Sequence, residues 1–380
     1  MIAPVLPALE SPKLQSGFEM TVAATANDPE LRELLRNSPV PGPISVTFER
    51  EPSFFDSCTI RGDFVQACIA RDRRTARIVG VGTRSISTAF LNGEPTSLGY
   101  LADLRLMQQY RGGMLIARGY RFLRHLHQDG RTRLYTTLIF NGNHNALATI
   151  ASGRAGLPRY HDQGKILSPG INIRRPRPPI KANCEIMSGT EELLPEIVEC
   201  LNRNHARRQF APLHAVSTFR QRCRNFRIQD FHVAIQGSKV VGVLGSWDQR
   251  PFKQTRVTGY SKRLRWMLPF ANAIRPITGG PLYPKPGEEV PYCYFGFAAV
   301  DGDDLQVFRS LLRSAYNAAV GSEYLYAILA LHERDPLLPV LQEYSLTPFS
   351  ARLYCVSYDD GEDYVRQLDR RVPYLEAATF

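Results

Sequence analysis

The stretch that most constrains this chain runs from Gly99 to Leu126, where bulky residues, an arginine-led glycine pair and an amphipathic segment follow one another without a break. Tyr100, Leu101, Leu104 and Leu106 set large apolar groups along a short segment bounded by a turn signal, which predicts a mostly buried strand. Arg111-Gly112-Gly113 ends it. From there Leu115, Gly119, Phe122 and Leu126 recur at helical spacing while Arg118, Arg121 and Arg124 take another face, so a helix starts just past the glycines. The first N–H groups of such a helix have no partner within it and converge on one spot, where the helix dipole favours negative charge. Arg111 adds a permanent positive charge with a planar donor fork. Strand, turn and helix together suit a phosphate, although the same pattern also describes an ordinary glycine turn between a strand and a helix.

Tyr100-Leu101-Ala102-Asp103-Leu104-Arg105-Leu106, followed by Tyr110-Arg111-Gly112-Gly113, resembles the core motif of the Gcn5-related N-acetyltransferase (GNAT) superfamily. The resemblance implies acetyl-coenzyme A or another acyl-coenzyme A as co-substrate. Leu104, Arg105 and Leu106 would lend backbone contacts to its pantetheine arm, and Arg111, Gly112, Gly113, Met114 and Leu115 would surround its pyrophosphate. Met114 and Ile116 stand where the family has glycine or another small residue. Leu134 to Phe140, followed by Asn143-His144-Asn145-Ala146, is similar to the family's next strand and the opening of its next helix, which implies that Asn143 contacts the cofactor. The tyrosine that often protonates the departing thiolate is replaced by Ile150. Tyr160 is the nearest substitute; it also reads as a turn tyrosine packing its ring on the domain. Asp103, on the motif strand, has the place where the family often uses a base that acts directly or through a water, and it also reads as half of a salt bridge to Arg105 or Arg133.

Length and composition widen the frame without contradicting it. A chain of 380 residues with 43% hydrophobic and 22% charged residues can bury two domain cores. The formal charge of +11 favours an anionic partner: coenzyme A, an acidic carrier protein, RNA or a membrane surface. The seven cysteines never fall in a Cys-x-x-Cys pair, so neither a zinc site nor a disulfide framework is indicated, and no metal is expected. The opening MIAPVLPALESPK has no basic region ahead of its apolar residues and is broken by prolines, unlike a signal peptide. No run reaches the length of a membrane span. These features predict a cytoplasmic protein.

Arg174-Arg175-Pro176-Arg177-Pro178-Pro179 cannot continue a helix or a central strand, which divides the chain into residues 15–175, a linker over 176–183 and residues 184–380. In the first part, strands are predicted over Phe18–Ala24, Phe64–Ala70 and Ala76–Thr83, with a helix over Asp28–Arg36 capped by Asp28 and carrying Pro29 at its start. The order recurs downstream: a helix over Glu192–His205, strands around Gln236-Gly237-Ser238, a strand over Tyr292–Val300, a helix over Asp304–Ala319 and a strand over Tyr324–Leu331. The expected fold is therefore α/β of the α+β kind: two tandem GNAT-like domains, each a mixed, mostly antiparallel sheet flanked by helices. In the second, Asp301, Asp303 and Asp304 replace the glycine turn, and their charge would repel a pyrophosphate. The insert Ser261–Pro286 sets Lys262, Arg263 and Arg265 beside Leu264, Trp266, Met267, Leu268 and Phe270, a pattern for a membrane surface, an acyl chain or a packed lid.

The resemblance implies an N-acyltransferase that moves an acetyl or longer acyl group directly from coenzyme A to a primary amine, with the first domain holding the cofactor and the second shaping the acceptor side. Transfer from an acyl carrier protein or an aminoacyl-tRNA is the alternative within enzymes. A non-catalytic binding or regulatory protein that keeps the fold is the alternative outside them.

Overall fold

The computed structural model describes residues 17–111, 114–140, 157–278 and 281–379. The first half runs β1 (Phe18–Val22), α1 (Asp28–Arg36), β2 (Ile44–Glu49), α2 (Phe54–Cys58), β3 (Phe64–Asp72), β4 (Ile78–Leu91), β5 (Glu94–Leu106), α3 (Leu115–His127), β6 (Leu134–Phe140) and β7 (Arg159–Leu167). β8 (Gly170–Asn172), β9 (Glu185–Ser188), α4 (Leu194–His205), β10 (Arg208–Gln209), β11 (Phe231–Gln236), β12 (Lys239–Trp247), β13 (Gln254–Tyr260) and α5 (Lys262–Thr278) follow. The chain closes with β14 (Tyr292–Val300), α6 (Leu305–Ala319), β15 (Tyr326–Ile328), β16 (Leu331–His332), β17 (Leu346–Thr347), β18 (Ser350–Ser357) and β19 (Val372–Pro373).

The expected motif helix forms because Leu115, Tyr120 and Leu123 bury one stripe against the sheet while its arginines stay outside that stripe. α1 also covers its predicted residues, but Asp28 is not its cap. Asn27 occupies the cap position without a side-chain bond. The Asp28 carboxylate instead accepts the Phe54 N–H at 2.9 Å, tying the start of α1 to α2.

Two large sheets result, in the orders β1-β3-β4-β5-β6-β18-β7-β16 and β17-β8-β15-β14-β12-β11-β9, each mostly antiparallel with one parallel pair and helices against its faces. β13 pairs with β2, and β10 with β19. Both large sheets cross the division expected at 176–183. β18, near the end of the chain, sits between β6 and β7, while β8, from before the division, pairs with β15. The cause lies in β18 itself: Ala351, Leu353, Cys355 and Val356 are all buried, so this strand needs partners on both edges and cover on both faces. The segment 176–183 is also held rather than slack. Arg177 donates its backbone N–H to Asn317 at 2.9 Å and lays its guanidinium 4.7 Å from the centre of the Tyr344 ring.

Each sheet contains the same local device. β5 and β6 run parallel through Gly99–Tyr135 and Tyr100–Thr136 and then part. β14 and β15 run parallel from Tyr292–Tyr326 to Tyr294–Ile328 and then part. Just beyond the last pair, each central strand bulges against its antiparallel neighbour, at Asp103 with φ 51° and at Phe297 with φ 57°. A bulge adds a residue and bends the strand, which keeps the parallel edges apart beyond it. Gly99 is required where the first pair touches, since a Cβ there would lie 2.1 Å from the Tyr135 ring.

Candidate functional site

The opening between β5 and β6 leaves one edge of β5 without ladder bonds beyond Tyr100; Thr137 bridges part of it by donating its hydroxyl to the Leu101 carbonyl at 2.8 Å. Leu104 is partly exposed along this stretch, and Leu106 turns inward against Val79 and Leu115. Arg111 follows, its Nε donating to the Leu106 carbonyl at 3.3 Å, which fixes the side chain without neutralising it. Met114 holds the cap position of α3 with no side-chain bond and is 67% exposed, so among the described residues the N–H groups at this helix end have no side-chain cap. Leu115 is buried beneath it. Gly112, Gly113 and Asn143 lie outside the described residues.

The corresponding place in the second unit is filled. Asp304 caps α6, accepting the Gln306 and Val307 N–H groups at 2.7 and 3.2 Å. Its neighbours are not open charges either, since Arg203 and Lys239 pair with Asp301 and Arg208 pairs with Asp303. At the second bulge, the Phe297 N–H donates to the Glu376 carboxylate at 2.6 Å, and a side chain on Gly296 would meet the same carboxylate at 2.7 Å. The chain thus blocks with its own carboxylates both the helix end and the bulge amide whose counterparts in the first unit have no side-chain acceptor among the described residues.

Asp103 is brought to the bulge but is not poised as a base. Arg61, whose side chain is 1% exposed, and Arg50, at 3.4 Å, both pair with it. Burial alone would push its carboxyl up, yet the two guanidiniums outweigh burial and hold it well below the usual carboxylate range. A carboxylate held ionised so firmly is a poor proton acceptor. The partners are Arg50 and Arg61, not the Arg105 or Arg133 that the sequence suggested. Thr83 completes the group, accepting from Arg61 at 2.9 Å and donating to Asp103 at 3.3 Å. Arg105 donates to the Leu104 carbonyl at 3.0 Å and lies over Phe48. Burial, with repulsion from Arg50, Arg111 and Arg61, pushes its guanidinium below its ordinary value despite the attraction of Asp103.

Tyr160 lies on β7 with its hydroxyl 2.6 Å from that of Tyr120 on α3. Burial and this partner push its phenol well above the ordinary range, so it stays protonated.

Sequence reasoning missed Lys253. It immediately precedes β13, where the Gln254 side chain bonds both backbone groups of Glu51 at 3.0 Å and thereby sets Lys253 beside the Arg50–Asp103–Arg61 group. Its ammonium lies 5.8 Å from the centre of the Tyr294 ring, on the last parallel rung of the second sheet. Burial, then repulsion from Arg50 and Arg61, pushes its amine well below the ordinary lysine range. No local motif marks such a residue, because its neighbours come from the other half of the sequence.

No family model matches the sequence, and no curated protein is similar to it. Solved structures are. Saccharomyces cerevisiae N-myristoyltransferase with bound myristoyl-CoA superposes with a TM-score of 0.61 at 12% identity, over 96% of this chain and 86% of that one. A GCN5-related glucosamine N-acetyltransferase region of a fungal multi-domain β-N-acetylglucosaminidase gives 0.61 at 12% identity, over 92% of this chain, which spans only 39% of that protein. A GCN5-related N-acetyltransferase from Sphaerobacter thermophilus gives 0.54 at 9% identity, over 90% of this chain and 96% of the other. At such identities the likeness speaks to fold. Together with the paired bulges and parted strands, it establishes that this chain has the GNAT fold in tandem, two mixed α+β units that trade strands with each other.

Proposed function

We propose that the chain is an acyl-coenzyme A-dependent N-acyltransferase, with the co-substrate held by the first unit alone. The observation that carries this reading is the asymmetry between the repeats: α3 begins without a side-chain cap beside Arg111, which has no carboxylate partner among the described residues, whereas α6 is capped by Asp304 and the second bulge is occupied by Glu376. An uncapped N-terminus with an arginine beside it suits a pyrophosphate, and a capped one does not. The N-acyltransferases that share the fold support the same reaction class.

In this reading the pantetheine arm lies along the opened edge of β5, and backbone N–H groups of the stretch Asp103–Leu106 stabilise the oxyanion formed when an amine attacks the thioester carbonyl. The Arg50–Asp103–Arg61 group holds the bulge that aims them. Lys253, whose amine burial and the guanidiniums of Arg50 and Arg61 push well below the ordinary lysine range, takes the proton of the attacking amine, and Tyr160, with Tyr120, remains the donor for the departing thiolate.

Calorimetry with coenzyme A tests the assignment. The wild type is expected to bind one equivalent per chain, and Arg111→Glu to bind at least tenfold more weakly, as a reversed charge at a phosphate contact should. Equal affinity in a folded Arg111→Glu protein, or a stoichiometry of two, would overturn it.

A further inference from the structure

The insert read as a membrane-surface, acyl-chain or lid element forms helix α5. Its inner side is pinned: Leu264, Leu268 and Ala271 are half-buried, Asn272 accepts the Tyr283 N–H at 2.8 Å, and Arg275 is buried over the Tyr283 ring at 4.2 Å. The outer side is apolar and uncovered. Trp266, Phe270, Ile274 and Ile277 are 75, 66, 57 and 71% exposed, and they recur at the spacing that aligns side chains on one helix face. Trp266 and Phe270 touch each other, with ring centres 5.7 Å apart. Met267 and, just beyond the helix, Leu282 extend the patch at 47 and 58% exposure. Elsewhere the exposed large apolar residues are scattered, as on ordinary surfaces.

Charge identifies the occupant. Lys262, Arg263 and Arg265 stand exposed in the first turn, α5 contains no aspartate or glutamate, and the whole chain carries +11. An apolar stripe with a tryptophan, edged by cations and free of carboxylates, matches the boundary of an anionic bilayer: the stripe enters the acyl region and the cations meet lipid phosphates. We propose that α5 docks this protein on the surface of anionic membranes, lying in the plane of the interface. Among the described residues no helix is long and apolar enough to cross a membrane, and the contact proposed is with its surface alone. This inference stands apart from the proposed acyl transfer, since it uses no residue of the coenzyme A site.

The chain supplies its own probe, because it has two tryptophans: Trp266, exposed on α5, and Trp247, fully buried in the second unit. Vesicles of phosphatidylcholine with about a third phosphatidylglycerol, at low salt, should shift the wild-type emission to the blue, and brominated phosphatidylcholine should quench it. Trp266→Phe, which retains Trp247, should show neither change. Phe270→Ser with Ile274→Ser, both at exposed positions, should lower the vesicle partition coefficient at least tenfold with an unchanged melting temperature. Lys262→Glu with Arg263→Glu should abolish the preference over pure phosphatidylcholine. No spectral change with anionic vesicles, equal partition of the serine variant, or equal binding to neutral and anionic vesicles overturns the proposal. So does a blue shift that depends on protein concentration in the absence of vesicles, which would mean that a second copy of the chain covers the stripe.

Discussion

Asp103→Asn is the substitution that most sharply separates a clamp from a base. Asparagine tolerates the left-handed backbone that Asp103 adopts at φ 51°, so the bulge keeps its residue preference and only the charge is removed. What remains is two buried guanidiniums. Arg50 and Arg61 have no other carboxylate within ion-pair distance among the described residues, and their side chains are 7 and 1% exposed. Breaking a buried pair by removing one partner costs about 3–5 kcal/mol, because the surviving charge is left uncompensated. The traded strands couple the two units, so the chain should melt in one step. With an unfolding entropy of roughly 2.1 cal/mol/K per residue, this cost corresponds to a fall in Tm of about 4–6 °C for 380 residues. The pH dependence adds a second arm. A depressed carboxylate contributes stability that is present above its unfolded pKa, about 3.9, and is lost as pH falls through its native value. The difference between wild type and variant should therefore be the same at pH 7 and pH 5.5, and shrink only in strong acid. Urea denaturation and thermal melts at both pH values measure it. A variant with wild-type stability at pH 7 would show that the two arginines do not depend on Asp103, and the clamp would be refuted.

Buried histidines set a different pH window. Burial pushes His205 and His232 down to about 4 from an unfolded value near 6.5, so both stay neutral in the fold while the unfolded chain takes up protons. Stability should be complete above pH 6.5 and fall as pH drops toward 4, by roughly 4 kcal/mol from these two groups at pH 5; a denaturation midpoint that is flat between pH 7.5 and 5 would contradict this. Lys253→Met should leave coenzyme A affinity unchanged and lower kcat at least a hundredfold with any amine the wild type acylates. Full turnover in that variant would remove Lys253 from the chemistry.

What the sequence makes legible here is what local physics decides. The motif strand, α3, β6 and β14 carry their apolar spacing within themselves, so periodicity finds them, and the glycine–tyrosine contact at Gly99 lies inside the motif that pointed to the site. Partnership is a different matter. β18 is largely buried, but nothing in Ser350–Ser357 says that its edges pair with residues about two hundred positions earlier. The same limit separates the motif Asp103 from Arg50, Arg61 and Lys253, whose influence on it depends on a bulge, a loop and a ladder between the halves. Even α5 was obscured for a local reason: Pro269 and Pro276 normally interrupt a helix, and the chain is helical across both. Charge behaves oppositely in the two repeats. In the second, the acidic turn was readable as a barrier to phosphate, but its carboxylates cap α6 and pair with arginines, so under the proposed function a phosphate would be kept out by occupied donors more than by repulsion. In the first, Met114 gives the start of α3 no side-chain cap and Arg111 is held through the Leu106 carbonyl rather than a carboxylate among the described residues, so the proposed phosphate contact rests on the same helix end that Asp304 closes in the second.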